Sequence, residues 1–218
     1  MSATLMLNKE TEFNQLLKDV TKQVTVQIAD ADLAILKRSN YKLCFAKKVN
    51  DVYTVVWEAY DKYLTKNIFS WTPQYQVFGT NTFESGVKVE TNTKVIDVTL
   101  GETVVLDENG LLNNPTTGGP ETAITFKNEY PVPIHPGINQ MAKDSSGIIH
   151  STPIYVAANP IVQGTDELTP KEFVLVWFEQ NVETSTMFSN AKSKSQEVNL
   201  TNSSAASILY EGGKWKII

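Results

Sequence analysis

Two histidines (His135 and His150), one cysteine (Cys44) and one arginine (Arg38) are the whole supply of those three residue types in this chain. That supply limits the chemistry. A protein zinc site draws on clustered His and Cys at short paired spacings. The sequence has no HExxH, no CxxC and no paired histidines, so neither a metal nor another cofactor is expected. The turn Asp107-Glu108-Asn109-Gly110 resembles part of a calcium loop, but the alternating carboxylates and the distal glutamate are missing. It reads instead as a four-residue hairpin turn with Gly110 at the left-handed position. Nucleophilic catalysis needs a base held beside a hydroxyl or thiol. His135, between Ile134 and Pro136, and His150, ahead of Ser151 and Thr152, are the candidate bases, yet there is no GxSxG elbow. Glu58 and Asp61 are a carboxylate pair of the kind glycosidases use, but spacing along the chain does not set their separation in space. The Gly-rich run Thr117-Gly118-Gly119-Pro120 lacks the Lys-Ser/Thr of a phosphate loop. Cys44 lies in the apolar run Leu43-Cys44-Phe45, where burial raises a thiol pKa, so it reads as a small core residue. The chain is accordingly expected not to be an enzyme, with a His-dependent hydrolase kept as the alternative.

Binding is carried by a different stretch. Residues 67–79, NIFSWTPQYQVFG, hold two Phe, one Trp, one Tyr and one Pro, with no charge. Two readings compete. In one, the rings fill the core as a strand, a Pro-containing bend and a second strand. In the other, Trp71 and Tyr75 sit in an exposed loop and stack on a sugar face or rest at a lipid headgroup boundary. The Pro-rich stretch 130–137, YPVPIHPG, would add Tyr130 and His135 as a second loop contribution. The region 184–207 is rich in hydroxyls and reads as a polar sheet rim that hydrogen-bonds sugars, or as a solvated edge strand guarded by Lys192 and Lys194.

The elements that must position these residues are mostly strands. One helix is expected over 9–22, where Phe13, Leu16, Leu17 and Val20 fall at i, i+3, i+4 and i+7. Acids lie near its start and lysines near its end, as the helix dipole favours. Its apolar stripe can pack on the sandwich, lie in a membrane interface or join copies of the chain. Beyond it the pattern has period two. Val24, Val26 and Ile28 share a face. Residues 41–49 and 52–60 flank Asn50-Asp51 as a hairpin. Strands are expected again at 87–91, 95–100, 104–106, 111–112, 123–127, 147–150, 154–158, 173–178, 198–200, 207–210 and 215–218. Three prolines in 130–137 argue for an extended loop rather than a central strand. An internal echo links 53–57 (YTVVW) with 173–177 (FVLVW), and 65–70 (TKNIFS) with 184–189 (TSTMFS). It reads as two pseudo-symmetric units or as a chance likeness of aromatic-rich strands.

Composition sets the outer limits. Strand signals every ten to fifteen residues point to an all-β fold, an antiparallel β-sandwich with a short amphipathic N-terminal helix, folded as a single domain over residues 1–218. A 41% apolar, 20% charged composition excludes wholesale disorder. A net charge of −5 with no long run of Lys or Arg gives no electrostatic footprint for nucleic acid. With one cysteine there is no intrachain disulfide. The start carries no Sec-type leader and no window reaches the length of a membrane span, so the chain is expected to be cytoplasmic as synthesised, with release by a route lacking a signal peptide left open. In layout, an amphipathic helix ahead of an aromatic-rich sandwich without disulfides resembles the actinoporin-type cytolysins and the fungal lectins that share their architecture. The resemblance implies a non-enzymatic binding protein, lectin-like or toxin-like, that recognises a cell-surface glycan or lipid head group, with pore formation after docking. A self-assembling β protein, a homo-oligomer, is the alternative.

Overall fold

The computed structural model describes residues 21–218 except Ala191 and Ser193. The expected helix over 9–22 therefore lies outside the described residues but for its last two: Thr21 is irregular and Lys22 opens a strand. Strand and bridge residues make up 53% of the described residues and helix 5%. The chain is all-β with a sandwich-like build, as its period-two pattern predicts.

In chain order the strands are β1 (Lys22–Ile28), β2 (Lys42–Val49), β3 (Glu58–Tyr60), β4 (Lys66–Thr80), β5 (Ile96–Val98), β6 (Glu102–Leu106), β7 (Thr116–Thr117) and β8 (Ile124–Asn128). They continue with β9 (His135–Lys143), β10 (Ile149–Val156), β11 (Gly164–Leu168), β12 (Pro170–Glu179), β13 (Gln196–Asn199), β14 (Ala205–Glu211) and β15 (Lys214–Ile217). The large sheet has the order β10-β9-β4-β1-β14-β15, with β5 also on β4; a second sheet runs β13-β12-β2-β3 and a third β11-β8-β6-β7. Pairing is mostly antiparallel, but β1 with β14 and β6 with β8 are parallel. That departs from a purely antiparallel sandwich. Neither pair is joined by a hairpin: β14 returns to β1 only after a long path through all three sheets, and β8 follows β6 by way of β7.

The large sheet and the second sheet pack face to face. Phe45 of β2 stacks on Phe69 of β4 at 4.5 Å, and Trp57 meets Phe69 and Trp71 edge-on at 4.8 and 5.6 Å. One charge is sealed into this layer. Lys47 of β2 is fully buried, 2.8 Å from Glu172 of β12, and its ammonium lies 4.9 Å from the centre of the Trp71 ring. Burial pushes its pKa down to about 8, although the Glu172 carboxylate pulls it back up. The outer face of the second sheet is covered too, because Cys44, Ala46 and Trp177 pack with Val56, Val182 and Phe188.

Several local readings need correction. The turn at Asn50-Asp51 forms with both residues at positive φ (49° and 67°), as that residue pair allows. However, the strand expected over 52–60 leaves β2 after a single bridge, Val49 to Val52. Its middle pairs instead with 185–188, through Val56 N–H to Thr186 O, Ser185 N–H to Val56 O and Phe188 N–H to Thr54 O. It rejoins β2 as β3, with Glu58 opposite Phe45. The echoed segments are thus not equivalent in space: 173–177 is a central stretch of β12, whereas 53–57 bridges to the partner half of the echo. The Pro-rich stretch turns into β9, a central strand between β4 and β10, with Pro136 as its second residue. Proline is tolerated at a strand start, where a missing N–H breaks little of the ladder.

One helix was not anticipated, α1 (Asp30–Arg38). It is short, with acids in its first turn and basic residues in its last. Asp32 accepts the backbone N–H groups of Gly212 and Gly213 at 2.8 and 3.2 Å, which ties the helix to the β14–β15 turn.

Two outcomes follow from this packing. Glu172→Ala leaves Lys47 buried without its partner and should cost about 3–5 kcal/mol of unfolding free energy, whereas the pair replacement Lys47→Met with Glu172→Leu should cost far less; urea titration measures both. A Cβ added at Gly137 would fall 2.2 Å from the Phe78 ring, so Gly137→Ala should destabilise by about 1–3 kcal/mol in the same assay, and a neutral Gly137→Ala would show that β4 and β9 do not pack this closely.

Candidate functional site

The aromatic stretch 67–79 is almost all of β4, and the structure turns its rings inward. Trp71 and Tyr75 are 2% and 4% exposed, so they are not surface stacking platforms. Their alternation on β4 directs them at the second sheet, where the gain from removing large rings from water outweighs any single polar need. That need is met for Trp71, whose indole N–H donates to Glu172 Oε2 at 3.1 Å. Burial, reinforced by the Glu172 charge, raises the Tyr75 hydroxyl pKa far above its ordinary value.

The other two predicted residues lie elsewhere. Tyr130 is half-buried and packs its ring across Gly110 at about 3.4 Å from where a Cβ would stand. His135 is buried, with Nδ1 2.7 Å from the Ala157 carbonyl; a carbonyl only accepts, so Nδ1 carries the proton. His135 pairs with Thr80, at the opposite end of β4 from Trp71. The four residues do not form one site: Trp71 and Tyr75 lie within β4, His135 opens β9 beside the far end of β4, and Tyr130 lies between β8 and β9.

The structure does use this stretch, through its other face. Between Trp71 and Tyr75 the register with β9 slips, so that four residues of β4 span two of β9. Pro73 sits inside this bulge, where no ladder N–H is required. The bulge lifts Pro73 and Gln74 outward, and with Gln76 they line an open groove of about 550 Å³. Asp97 and Thr99 border it from β5 and the residue just after it, Glu102 from β6, Met141 from β9 and Ser151 from β10. A chain of hydrogen bonds crosses the floor. The Ser151 hydroxyl donates to Gln76 Oε1 at 2.9 Å, and Gln76 Nε2 donates to Asp97 Oδ1 at 2.8 Å. Glu102 Oε2 is held by the Thr99 N–H at 2.7 Å. Asn139, on the same face, approaches Gln76 Oε1 at 3.5 Å, and its own Oδ1 is buried with no partner among the described residues. Pro73, Pro115, Val98 and Met141 supply apolar walls, and the charged lining residues are the acids Asp97 and Glu102. A second opening of about 430 Å³ has aromatic walls, Tyr53, Phe83 and Phe188, but its one cation, Lys192, is committed to Glu179 at 2.9 Å.

The groove was hidden in the sequence. Gln74 and Gln76 stand in the quoted stretch, yet its aromatic residues dominate any reading. Asp97 and Ser151 carry no local motif, and only sheet pairing (Gln76 with Asp97) brings them together.

Of the candidate bases, His150 does meet a carboxylate. Its Nε2 lies 2.7 Å from Glu58 Oε1, and the Thr184 and Thr152 hydroxyls also face the Glu58 carboxyl. The pair bridges β10 of the large sheet and β3 of the second, joined there by Thr152, whose hydroxyl donates to the Trp57 carbonyl at 3.4 Å. Glu58 is buried and is not paired with Asp61 across a cleft; neither Glu58 nor His150 lines the two openings described above. Among the described residues, no group of three or more His, Cys, Asp or Glu is placed to hold a metal. Also among them, no helix is long and apolar enough to cross a membrane.

Comparison of the chain with known protein families, with curated proteins and with solved structures gives no match. Its function therefore rests on its own geometry.

Burial, with the Asp144 charge behind it, raises the Glu58 pKa to about 8. In the unfolded chain the same carboxyl titrates near 4.5. Between these values the folded protein keeps a proton that the unfolded chain has released, so stability falls as pH rises from 5 to 8. Glu58→Gln, which cannot ionise, should flatten that slope in a denaturant titration repeated across this range. An unchanged slope would mean that Glu58 is already ionised in the native state.

Proposed function

We propose that the protein is a non-enzymatic binding protein that takes a hydroxyl-rich ligand, a cell-surface glycan, in the groove over Gln76. The observation that carries this is the Ser151–Gln76–Asp97 hydrogen-bond chain lying on the floor of an open groove with apolar walls. Sugar hydroxyls both donate and accept. Carboxylate oxygens of Asp97 and Glu102 can take their protons, Ser151 Oγ can accept because its one proton goes to Gln76, and Gln76 Nε2 keeps a second N–H to donate. The strongest of these bonds are to the carboxylates. The C–H faces of a pyranose ring match the walls formed by Pro73, Pro115 and Met141. A volume in the hundreds of cubic ångströms with a few fixed polar groups is ordinary for a ligand site.

The charge of the groove selects between the two ligand classes. A phospholipid head group brings its anionic phosphate against Asp97 and Glu102 with no cation among the described lining residues, which is unfavourable. A neutral or amine-bearing glycan meets no such cost. Catalysis is not part of this reading, because the Glu58–His150 contact lies outside the groove.

A glycan array probed with the intact protein should yield a discrete set of ligands. Asp97→Ala should weaken the best of them by about tenfold to a hundredfold, the loss expected for a hydrogen bond to a charged group. Asp97 is exposed, so the melting temperature should stay nearly constant. No glycan bound, or binding indifferent to both Asp97→Ala and Gln76→Ala, would remove this function. A stable homo-oligomer in light scattering, with no ligand found, would favour self-assembly.

A further inference from the structure

The groove over Gln76 is unbalanced in protons and in charge. Gln76 Oε1 takes the Ser151 hydroxyl at 2.9 Å and the Asn139 amide at 3.5 Å, which fills it. Gln76 Nε2 gives one proton to Asp97 Oδ1 at 2.8 Å, and Glu102 Oε2 takes the Thr99 N–H at 2.7 Å. Asp97 Oδ2, Glu102 Oε1 and Ser151 Oγ are left over as acceptors, with no donor among the described residues. The one fixed donor left over is the second N–H of Gln76 Nε2. The Gln74 amide and the Thr99 hydroxyl also border the groove, but both residues are exposed and neither side chain is held in place.

The backbone sets the two acids side by side. β5 and β6 are joined by a turn in which the Glu102 N–H donates to the Thr99 carbonyl at 3.3 Å, and this turn brings Asp97 and Glu102 into the same lining. Each carboxylate is held through one oxygen and keeps the other free. The floor beneath them is short of protons as well. Asn139 is 7% exposed and its amide is aimed at Gln76, yet its Oδ1 is buried with no partner among the described residues. Such orphaned acceptors are rare, and this one lies under a lining that already holds more acceptors than donors.

A neutral sugar meets these groups poorly. Each hydroxyl brings one proton and needs a donor for its own oxygen, and the lining has a single fixed N–H to give. Two carboxylates with no cation among the described lining residues also leave their charge uncompensated. A protonated amine removes both deficits. It carries three donors, no acceptor and a positive charge, and its bonds to carboxylates are about twice as strong as bonds between neutral groups.

We infer that the group this site selects is a free ammonium on a pyranose, an amino sugar that is not N-acetylated, received between Asp97, Glu102 and Ser151 with the ring against Pro73, Pro115 and Met141. The inference rests on the reading of the groove as a glycan site and narrows it. Acetylation of the amine removes its charge and leaves a single N–H, so it is the change the groove should reject.

The test is calorimetric titration of the full-length protein with three probes: glucosamine oligomers with free amines, the same oligomers fully N-acetylated, and a linear polyamine of equal charge. The free-amine oligomers should bind about tenfold to a hundredfold more tightly than the acetylated ones, the range for hydrogen bonds to a charged group. The polyamine has the charge but no pyranose face, and should bind at least about tenfold more weakly than the free-amine oligomers. Asp97→Asn with Glu102→Gln keeps an acceptor oxygen at each position and removes both charges. It should shrink the preference for the free amine about tenfold or more. Asp97→Asn alone, at an exposed position, should give part of that loss with the melting temperature unchanged. Acetylated oligomers bound as tightly as free-amine ones would overturn the inference and leave the groove a site for neutral glycans. A polyamine bound equally well, or a preference that survives both replacements, would also overturn it, as general attraction of cations to a chain of net charge −5. So would binding of neither oligomer, although a different glycan that needs Asp97 would then still uphold the broader reading.

Discussion

One buried charge organises the molecule. Lys47 has no exposed surface, and its ammonium has one carboxylate, Glu172, and one aromatic face, Trp71, to replace water. An unpaired ammonium in that layer would cost several kcal/mol, roughly the margin by which a domain is stable. The pair is satisfied only when β2, β4 and β12 stand in one register, because each contributes one member. Glu172 accepts from both Lys47 and the Trp71 indole through the same oxygen, so neither contact can shift without loosening the other. Apolar burial would tolerate many slips of the two sheets; this contact tolerates few.

The same constraint explains how one strand serves two purposes. With Phe69, Trp71 and Tyr75 committed to the interior, the alternate positions of β4 must face outward. The bulge at Pro73 then sets where those positions point. Below it the outward positions carry Ile68 and Ser70; above it Gln76 enters a chain of hydrogen bonds. A strand of 15 residues crosses the sheet far enough to border both surfaces. At the edge of the sandwich a second polar contact, Glu58 with His150, closes the gap between the sheets. The Glu58 carboxyl, whose pKa burial raises, lies outside the groove.

Much of the fold was legible in the residues and much of the site was not. The alternation of Val24, Val26 and Ile28, the Asn50-Asp51 turn and the Asp107-Glu108-Asn109-Gly110 turn all rest on local rules of side-chain period and positive φ, and all appear as read. The failures come from tertiary demands. Residues 53–56 have strand character, but their ladder partner lies more than 120 residues away in 185–188. Pro136 argues against a central strand, yet β9 is one, because its proline sits at the end of the ladder. The helix α1 was passed over because only Leu33 and Leu36 mark its buried side. Trp71, Tyr75, Tyr130 and His135 were chosen for residue type, and type alone does not separate a ring that recognises a ligand from one that fills a core.

By itself the sequence determined a β-rich chain with no intrachain disulfide, no zinc or phosphate-loop motif and an uncharged aromatic stretch at 67–79, since these follow from composition, period and spacing. The tertiary structure decided which face of that strand looks outward. That choice depends on Lys47 and Glu172 meeting across some 125 residues of chain, and no local pattern encodes such a meeting. The groove over Gln76 lies across β4 from the buried Phe69 and Trp71, with Tyr75 at its border.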